Sequence, residues 1–376
     1  MKVLILGGYG TFGGRLAHLL ADDERLTLFI AGRSKDKAIK FCQSQIFRAQ
    51  TVALAFDRDK DVERQIDALQ PNIVVDATGP FQLYGDNPYR VVKACLACQV
   101  NYVDLADGSD FVKGIVQFDA EAKAKNIFIL SGVSSFPVLT AAVVRHLSKE
   151  MTHINSITAG IAPSPYAGVG LNVLKAITAY AGKPIALRRN GQLNQGYALT
   201  ESMRYRISPP NYRALPSIHF SLVDVPDLQV LPELWPNVQS VWIGAGPIPE
   251  ILHRILNALA WLVRLKLVTS LLPLAKLFYH VMNTVRWGEH RGGMFVSVEG
   301  VDDNSQPMAR SWHLLAEGND GPLIPSMAIE AIVRKCLLGV IPVAGARTAA
   351  CELELNDYEE LFKKRKIYMG QKETAE

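Results

Sequence analysis

Cysteine is scarce in this sequence: Cys42, Cys95, Cys98, Cys336 and Cys351 are the five in 376 residues. An odd, scattered set excludes a disulfide framework and fits a reduced, intracellular protein. An excess of one charge is also missing. Forty basic against 36 acidic residues leave a net charge of +4, and there is no arginine-rich arm or zinc-finger spacing. Nucleic acid is therefore not an expected partner. No leader is visible. Met1 and Lys2 run straight into "VLILGG", which is too short for a signal core or a membrane span, so a cytoplasmic protein is expected. The histidines form no H-E-x-x-H or other zinc spacing, so no metal is expected. Internal repeats and long low-complexity linkers are absent as well.

What the chain does have is apolar residues, 49% of the total against 20% charged. That supports a large folded core spread over two or three domains. It also has an unusual opening, "KVLILGGYGTFGGRLAHLLADD". "KVLIL" is a buried parallel strand by its continuous apolar character. Leu16, Leu19 and Leu20 recur at helical spacing. Between them, Gly7, Gly10 and Gly13 fit G-x-x-G-x-x-G. In a strand–turn–helix context, such glycines allow a tight turn, close approach of a pyrophosphate and packing of the helix on the sheet. Exposed N–H groups and the helix dipole then favour the phosphate charge. The expected cofactor-binding stretch is Gly7, Gly8, Gly10, Thr11, Phe12 and Gly13.

The second strand, "LTLFIAG", ends at Arg33-Ser34, where an NAD site carries an acidic residue for the ribose hydroxyls. A cation and a hydroxyl suit a 2′-phosphate instead, so NADP(H) is read over NAD(H). Strands and helices keep alternating, which predicts a doubly wound parallel α/β sheet of Rossmann type. Its strand ends bring Asp57 and Thr78, Gly79, Pro80 and Phe81 to the same edge, and all five are assigned to the cofactor. Asn87 and Pro88 are read as the start of a helix. Asp104, at the end of another strand, is the candidate polar group beside the nicotinamide; its structural alternative is a carboxylate that caps a loop. "CLAC" at Cys95–Cys98 lies late in a helix, which favours packing over a redox pair. Tyr89 and Lys93 match Y-x-x-x-K but come too early in the strand order for a dehydrogenase pair. His290, in "RWGEHRGGM", reads as a surface turn.

Several stretches resemble the saccharopine dehydrogenase-like oxidoreductases. They are "GGYGTFGGRLA", "AGRS", "DATGPFQLYGDNPYRVVKACLACQVNYVDLADG" and "SGVSSFPVLTAAVV", with later likeness in "APSPYAGVGLNVLKAITAYAGKPI" and "LAEGNDGPLIPSMAIEAIVRKCLLGVIPVAGA". Asp104 falls in the family's "YVDL". The resemblance implies an NADP-binding domain over 1–135 and a second, mixed α+β substrate and dimerisation domain over 136–321. It also implies a helix near 322–340 that returns to the first domain; residues 341–376 form an extension whose charged tail is expected to fray. It further implies redox chemistry on a small substrate, an imine of amino-acid origin or an enoyl compound. The rival readings are a non-catalytic NADP-binding sensor and a membrane-surface protein. The second rival rests on residues 251–285, "ILHRILNALAWLVRLKLVTSLLPLAKLFYHVMNTV". This segment is strongly apolar but interrupted by four cations and Pro273. It reads either as helices buried in the second domain or in a homodimer interface, which is the preferred reading, or as a basic amphipathic surface resting on lipid.

Overall fold

A computed structural model describes residues 1–285 and 287–373. They divide into two compact units, Met1–Val138 with Leu323–Leu353, and Leu139–Pro322 with the chain from Glu354 onward. The strands of the chain are β1 (Lys2–Leu6), β2 (Thr27–Gly32), β3 (Gln50–Ala55), β4 (Ile73–Asp76), β5 (Asn101–Asp104), β6 (Phe128–Ser131), β7 (His153–Ala162), β8 (Pro184–Arg189), β9 (Gln192–Tyr197), β10 (Ser202–Tyr205), β11 (Ile218–Leu222), β12 (Ser240–Ala245), β13 (Arg291–Val301), β14 (Pro307–Glu317), β15 (Gly345–Thr348) and β16 (Ile367–Glu373).

In the first unit seven parallel strands lie in the order β15-β6-β5-β4-β1-β2-β3. From β1 the chain builds outward through β2 and β3, then returns to the other side of β1 with β4. The sheet therefore has its switch point between β1 and β4. The strand bodies Val3–Leu6, Leu28–Ala31 and Ile73–Val75 are buried, which matches their unbroken apolar runs. Helices α1 (Thr11–Leu19), α2 (Lys35–Gln43), α3 (Val62–Leu69) and α4 (Arg90–Cys98) connect them. Helix α4 begins two residues beyond the expected Asn87-Pro88 start, because Tyr89 takes the cap position. Helix Ile324–Leu337 packs on α1: Ser326 Oγ donates to the Phe12 carbonyl at 3.2 Å, and Arg334 reaches the Leu19 carbonyl and Asp22.

The second unit holds a mixed seven-stranded sheet, β10-β11-β12-β7-β13-β14-β16, in which only β12 and β7 run parallel. β8 and β9 form a separate hairpin. One sequence expectation needs correction here. The charged tail does not fray through Glu373: Ile367–Glu373 pairs with β14 from Ala316 to Arg310, because Ile367 and Met369 supply enough apolar surface for an edge strand. Segment 251–285 is partly buried within the chain. It forms helices Glu250–Arg264 and Ala275–Thr284, each burying one stripe and leaving apolar side chains such as Ile251, Leu265 and Leu277 exposed. No helix among the described residues is long and apolar enough to cross a membrane.

Candidate functional site

The register of the first sheet sets its carboxyl ends level. Leu6 pairs with Ala31 and with Asp76, Asp76 with Asp104, and Gly32 with Ala55. The residues that follow, Gly7, Arg33, Phe56-Asp57, Ala77-Thr78 and Leu105, leave the sheet along one edge.

The glycine loop occupies the centre of that edge. Gly7 takes φ of +73°, a conformation that disfavours a side chain, and a Cβ there would sit 2.8 Å from the Ala77 carbonyl oxygen. The Gly10 N–H donates to the Gly7 carbonyl at 2.8 Å, closing the turn. A Cβ on Gly13 would overlap that same oxygen, and one on Gly8 would lie 2.9 Å from the Ile5 carbonyl. All of these glycines are thus demanded by the turn's own packing. Gly10, the cap residue of α1, is exposed, and no side chain caps the helix. The first-turn N–H groups are left without side-chain acceptors, in a cradle that a glycine cap keeps open. Tyr9, which sequence reasoning passed over, fixes the cradle to its neighbour: its hydroxyl accepts from the Ser34 N–H at 3.1 Å and its ring covers Gly32. Only a residue with no side chain at position 32 admits that ring.

Arg33 extends from the end of β2, exposed and, among the described residues, without a hydrogen bond or ion pair. Ser34 has a different occupation. Its Oγ accepts from the Lys37 N–H at 3.3 Å as the cap of α2. Asp57 lies beyond β3, where Oδ1 accepts from the Asp59 N–H at 3.0 Å and Lys60 stands 3.8 Å away.

A buried polar network lies on the other side of the switch point. Asp76 ends β4 and is 1% exposed; its Oδ1 accepts from the Thr78 N–H at 3.0 Å and from the Thr78 hydroxyl at 2.6 Å. Thr78 Oγ1 is 2.7 Å from the Tyr84 hydroxyl. Arg58 lies over the Tyr84 ring at 3.3 Å and 3.9 Å from Asp76. Burial, reinforced by Asp76, pushes the Tyr84 phenol well above its ordinary value, so it remains an O–H donor. Arg58 and Tyr84 were not found from the sequence; nothing in their spacing marks them, since the chain folds back to bring them together. Thr78 and Gly79 lie at this loop as expected. Pro80 precedes the short turn of Phe81, which is itself buried against Ala106, Phe111 and Val112. Phe81 packs in this structure: an aromatic after the Gly-Pro step finds a local apolar cluster.

Asp104 is fully buried. Its Oδ1 accepts from the Gly132 N–H at 2.8 Å, the Ala106 N–H at 2.9 Å and the Ser131 hydroxyl at 3.0 Å. Oδ2 is buried without a partner. Burial raises this carboxyl to about 7, opposed by the three donors. It ties the ends of β5 and β6 together, the geometry of a positioning group. Tyr89 donates to the Phe111 carbonyl at 2.9 Å and stacks on that ring, so it is not half of a catalytic pair with Lys93. Burial raises both the Cys95 and Cys98 thiols, contrary to what a redox pair needs. His290 is exposed, 4.7 Å from the Tyr166 ring.

A parallel sheet with a glycine cradle at its switch point defines the class: a dinucleotide-binding fold of dehydrogenase type. Residues 3–130 match the family model of the saccharopine dehydrogenase NADP-binding domain, and this part of the chain belongs to that family. The whole chain is similar to apo histidine-tagged saccharopine dehydrogenase (L-Glu forming) from Saccharomyces cerevisiae, with a TM-score of 0.67 over 100% of both chains. At 12% identity that likeness is one of fold. The "Lipid droplet localized protein" of Caenorhabditis elegans is 25% identical over 167 residues, 41% of this chain. The match spans only 38% of that relative's length.

Proposed function

We propose that the protein is an NADP(H)-dependent oxidoreductase acting on a small imine or enoyl compound. The carrying observation is Arg33, unengaged and exposed at the end of β2, joined through Tyr9 and Ser34 to the uncapped start of α1. A pyrophosphate matches the N–H groups of that helix start, and a 2′-phosphate matches the guanidinium fork. Bound there, the cofactor supplies the hydride chemistry.

The chain's own residues bind and orient. Gly7–Gly13 form the phosphate cradle, and Arg33 holds the extra phosphate. Asp76, Thr78, Tyr84 and Arg58 stiffen the loop after β4. Asp104 fixes the adjoining β5 and β6 ends. The Tyr84 hydroxyl stays protonated, so it remains a donor. The nematode relative's name supports including lipid-soluble compounds among the substrates tested.

The test is transfer of deuterium from 4-deuterated NADPH to a panel of cyclic imines, amino-acid-derived imines and enoyl compounds. Deuterium in a product supports the reading. Tight NADPH binding with no transfer to any of them favours a non-catalytic NADP-binding sensor.

A further inference from the structure

We propose that the outer face of helices Glu250–Arg264 and Ala275–Thr284 docks on an anionic phospholipid surface, lying on it rather than crossing it. The first helix has two opposed stripes. Its inner stripe, His253, Asn257 and Ala260, is anchored: Asn257 Nδ2 donates to the Leu199 carbonyl at 2.8 Å, and its Oδ1 accepts from the Ser221 hydroxyl at 3.2 Å. Its outer stripe is Ile251, Ile255, Ala258, Leu262 and Leu265, at i, i+4, i+7, i+11 and i+14 on one side. Solvent should meet polar residues there. Instead Ile251 is 61% and Leu265 60% exposed, and Leu267, just beyond, is 71% exposed. Leu277 on the second helix is 58% exposed. Large apolar side chains exposed in a row along one side of a helix mark an interaction surface.

Charge identifies the occupant. Residues 251–285 contain Arg254, Arg264, Lys266 and Lys276 but no Asp or Glu. Glu250, at the helix start, is engaged by Arg254 and Arg204. Lys266 and Lys276 are exposed and, among the described residues, make no ion pair. A second copy of this chain, meeting the first through the same face, would bring the unpaired Lys266 and Lys276 of both copies to one interface with no counter-charge of their own. An anionic headgroup layer supplies that counter-charge, and the acyl boundary takes the apolar stripe. Arg264 lies 4.4 Å over the exposed Trp261 ring, an amphipathic pair suited to a water–lipid boundary. Docking does not depend on the redox reading, because NADPH binding and lipid binding are measured separately.

The test is flotation of the whole protein with phosphatidylcholine vesicles, with and without phosphatidylserine, at physiological salt. The protein should float with the anionic vesicles and lose most of that binding with neutral ones. Leu265→Glu with Leu267→Glu alters exposed positions only, and should reduce flotation roughly tenfold or more with melting temperature and NADPH affinity unchanged. Lys266→Glu with Lys276→Glu, which leaves the apolar stripe intact, should reduce it similarly. Failure to float with anionic vesicles would overturn the proposal. So would flotation that survives both pairs of substitutions, or sedimentation showing a dimer that Leu265→Glu with Leu267→Glu dissociates.

Discussion

At the residue scale, Arg33 and Asp104 illustrate two kinds of site residue, one facing solvent and ready for a ligand, the other buried and committed to its neighbours. Arg33→Ala should weaken NADPH binding by about 1.5–3 kcal/mol, the worth of a charge-assisted contact, and change NADH binding little; calorimetric titration of the variant measures both. Ser34→Ala should act mainly on stability, since its hydroxyl caps α2, at a cost of roughly 0.5–2 kcal/mol. Asp104 makes a pH-dependent prediction. Its native carboxyl titrates at about 7, against about 3.9 in an unfolded chain. Between those values the folded protein keeps a proton that the unfolded chain has lost. The contribution to stability is therefore full below pH about 4 and is lost as pH rises through about 7. Asn keeps the acceptor for Gly132, Ala106 and Ser131 but carries no titrating proton. Relative to the parent, Asp104→Asn should gain stability from pH 4 to 7, by at most roughly 1.4 kcal/mol per pH unit, and level off above. Denaturant unfolding across that range checks the slope. Retained turnover in the variant would identify Asp104 as a positioning residue, and loss of turnover with NADPH affinity intact would restore its catalytic reading.

At the scale of elements, the β1–turn–α1 unit was legible because its signals are local: an apolar run, then glycines, then helical spacing. The glycine pattern alone gave an incomplete reason for those residues. The Gly10 Cβ would stand 2.9 Å from the Gly7 carbonyl oxygen, so Gly10→Val strains the turn as well as the phosphate cradle and does not separate binding from folding. Gly13→Ala makes the packing role measurable. Its methyl would overlap the Gly7 oxygen, which should destabilise the protein by about 1–3 kcal/mol in urea unfolding with no ligand present. The Asp76–Thr78–Tyr84–Arg58 network was illegible for the opposite reason. Its members come from two strand ends and a turn, and only the folding of the loop after β3 back toward the turn after β4 makes them neighbours. The same distinction explains "CLAC": helical position already argued for packing, and the buried Cys95 bears this out. A maleimide reagent should label the exposed Cys351 well before Cys95 in the folded protein; equal rates at the two sites would contradict the packing.

At the scale of the whole molecule, alternating strands and helices made the first sheet legible up to β6. They did not reveal that β15, more than 200 residues further on, completes it. In the second unit the strands β7, β12, β13 and β14 were readable from their apolar runs. The β8–β9 hairpin was not, because β9 is mostly exposed and carries little hydrophobic pattern. Segment 251–285 stayed ambiguous for a physical reason: an apolar helix looks the same in sequence whether its outer stripe meets protein or another surface. Parallel calorimetric titrations of the unmodified protein with NADPH and NADH test the proposed NADP(H) site on the edge of the first sheet most directly. Tighter binding of NADPH, with the difference abolished by Arg33→Ala, is the predicted result; equal affinities for the two cofactors, or no binding of either, would contradict it.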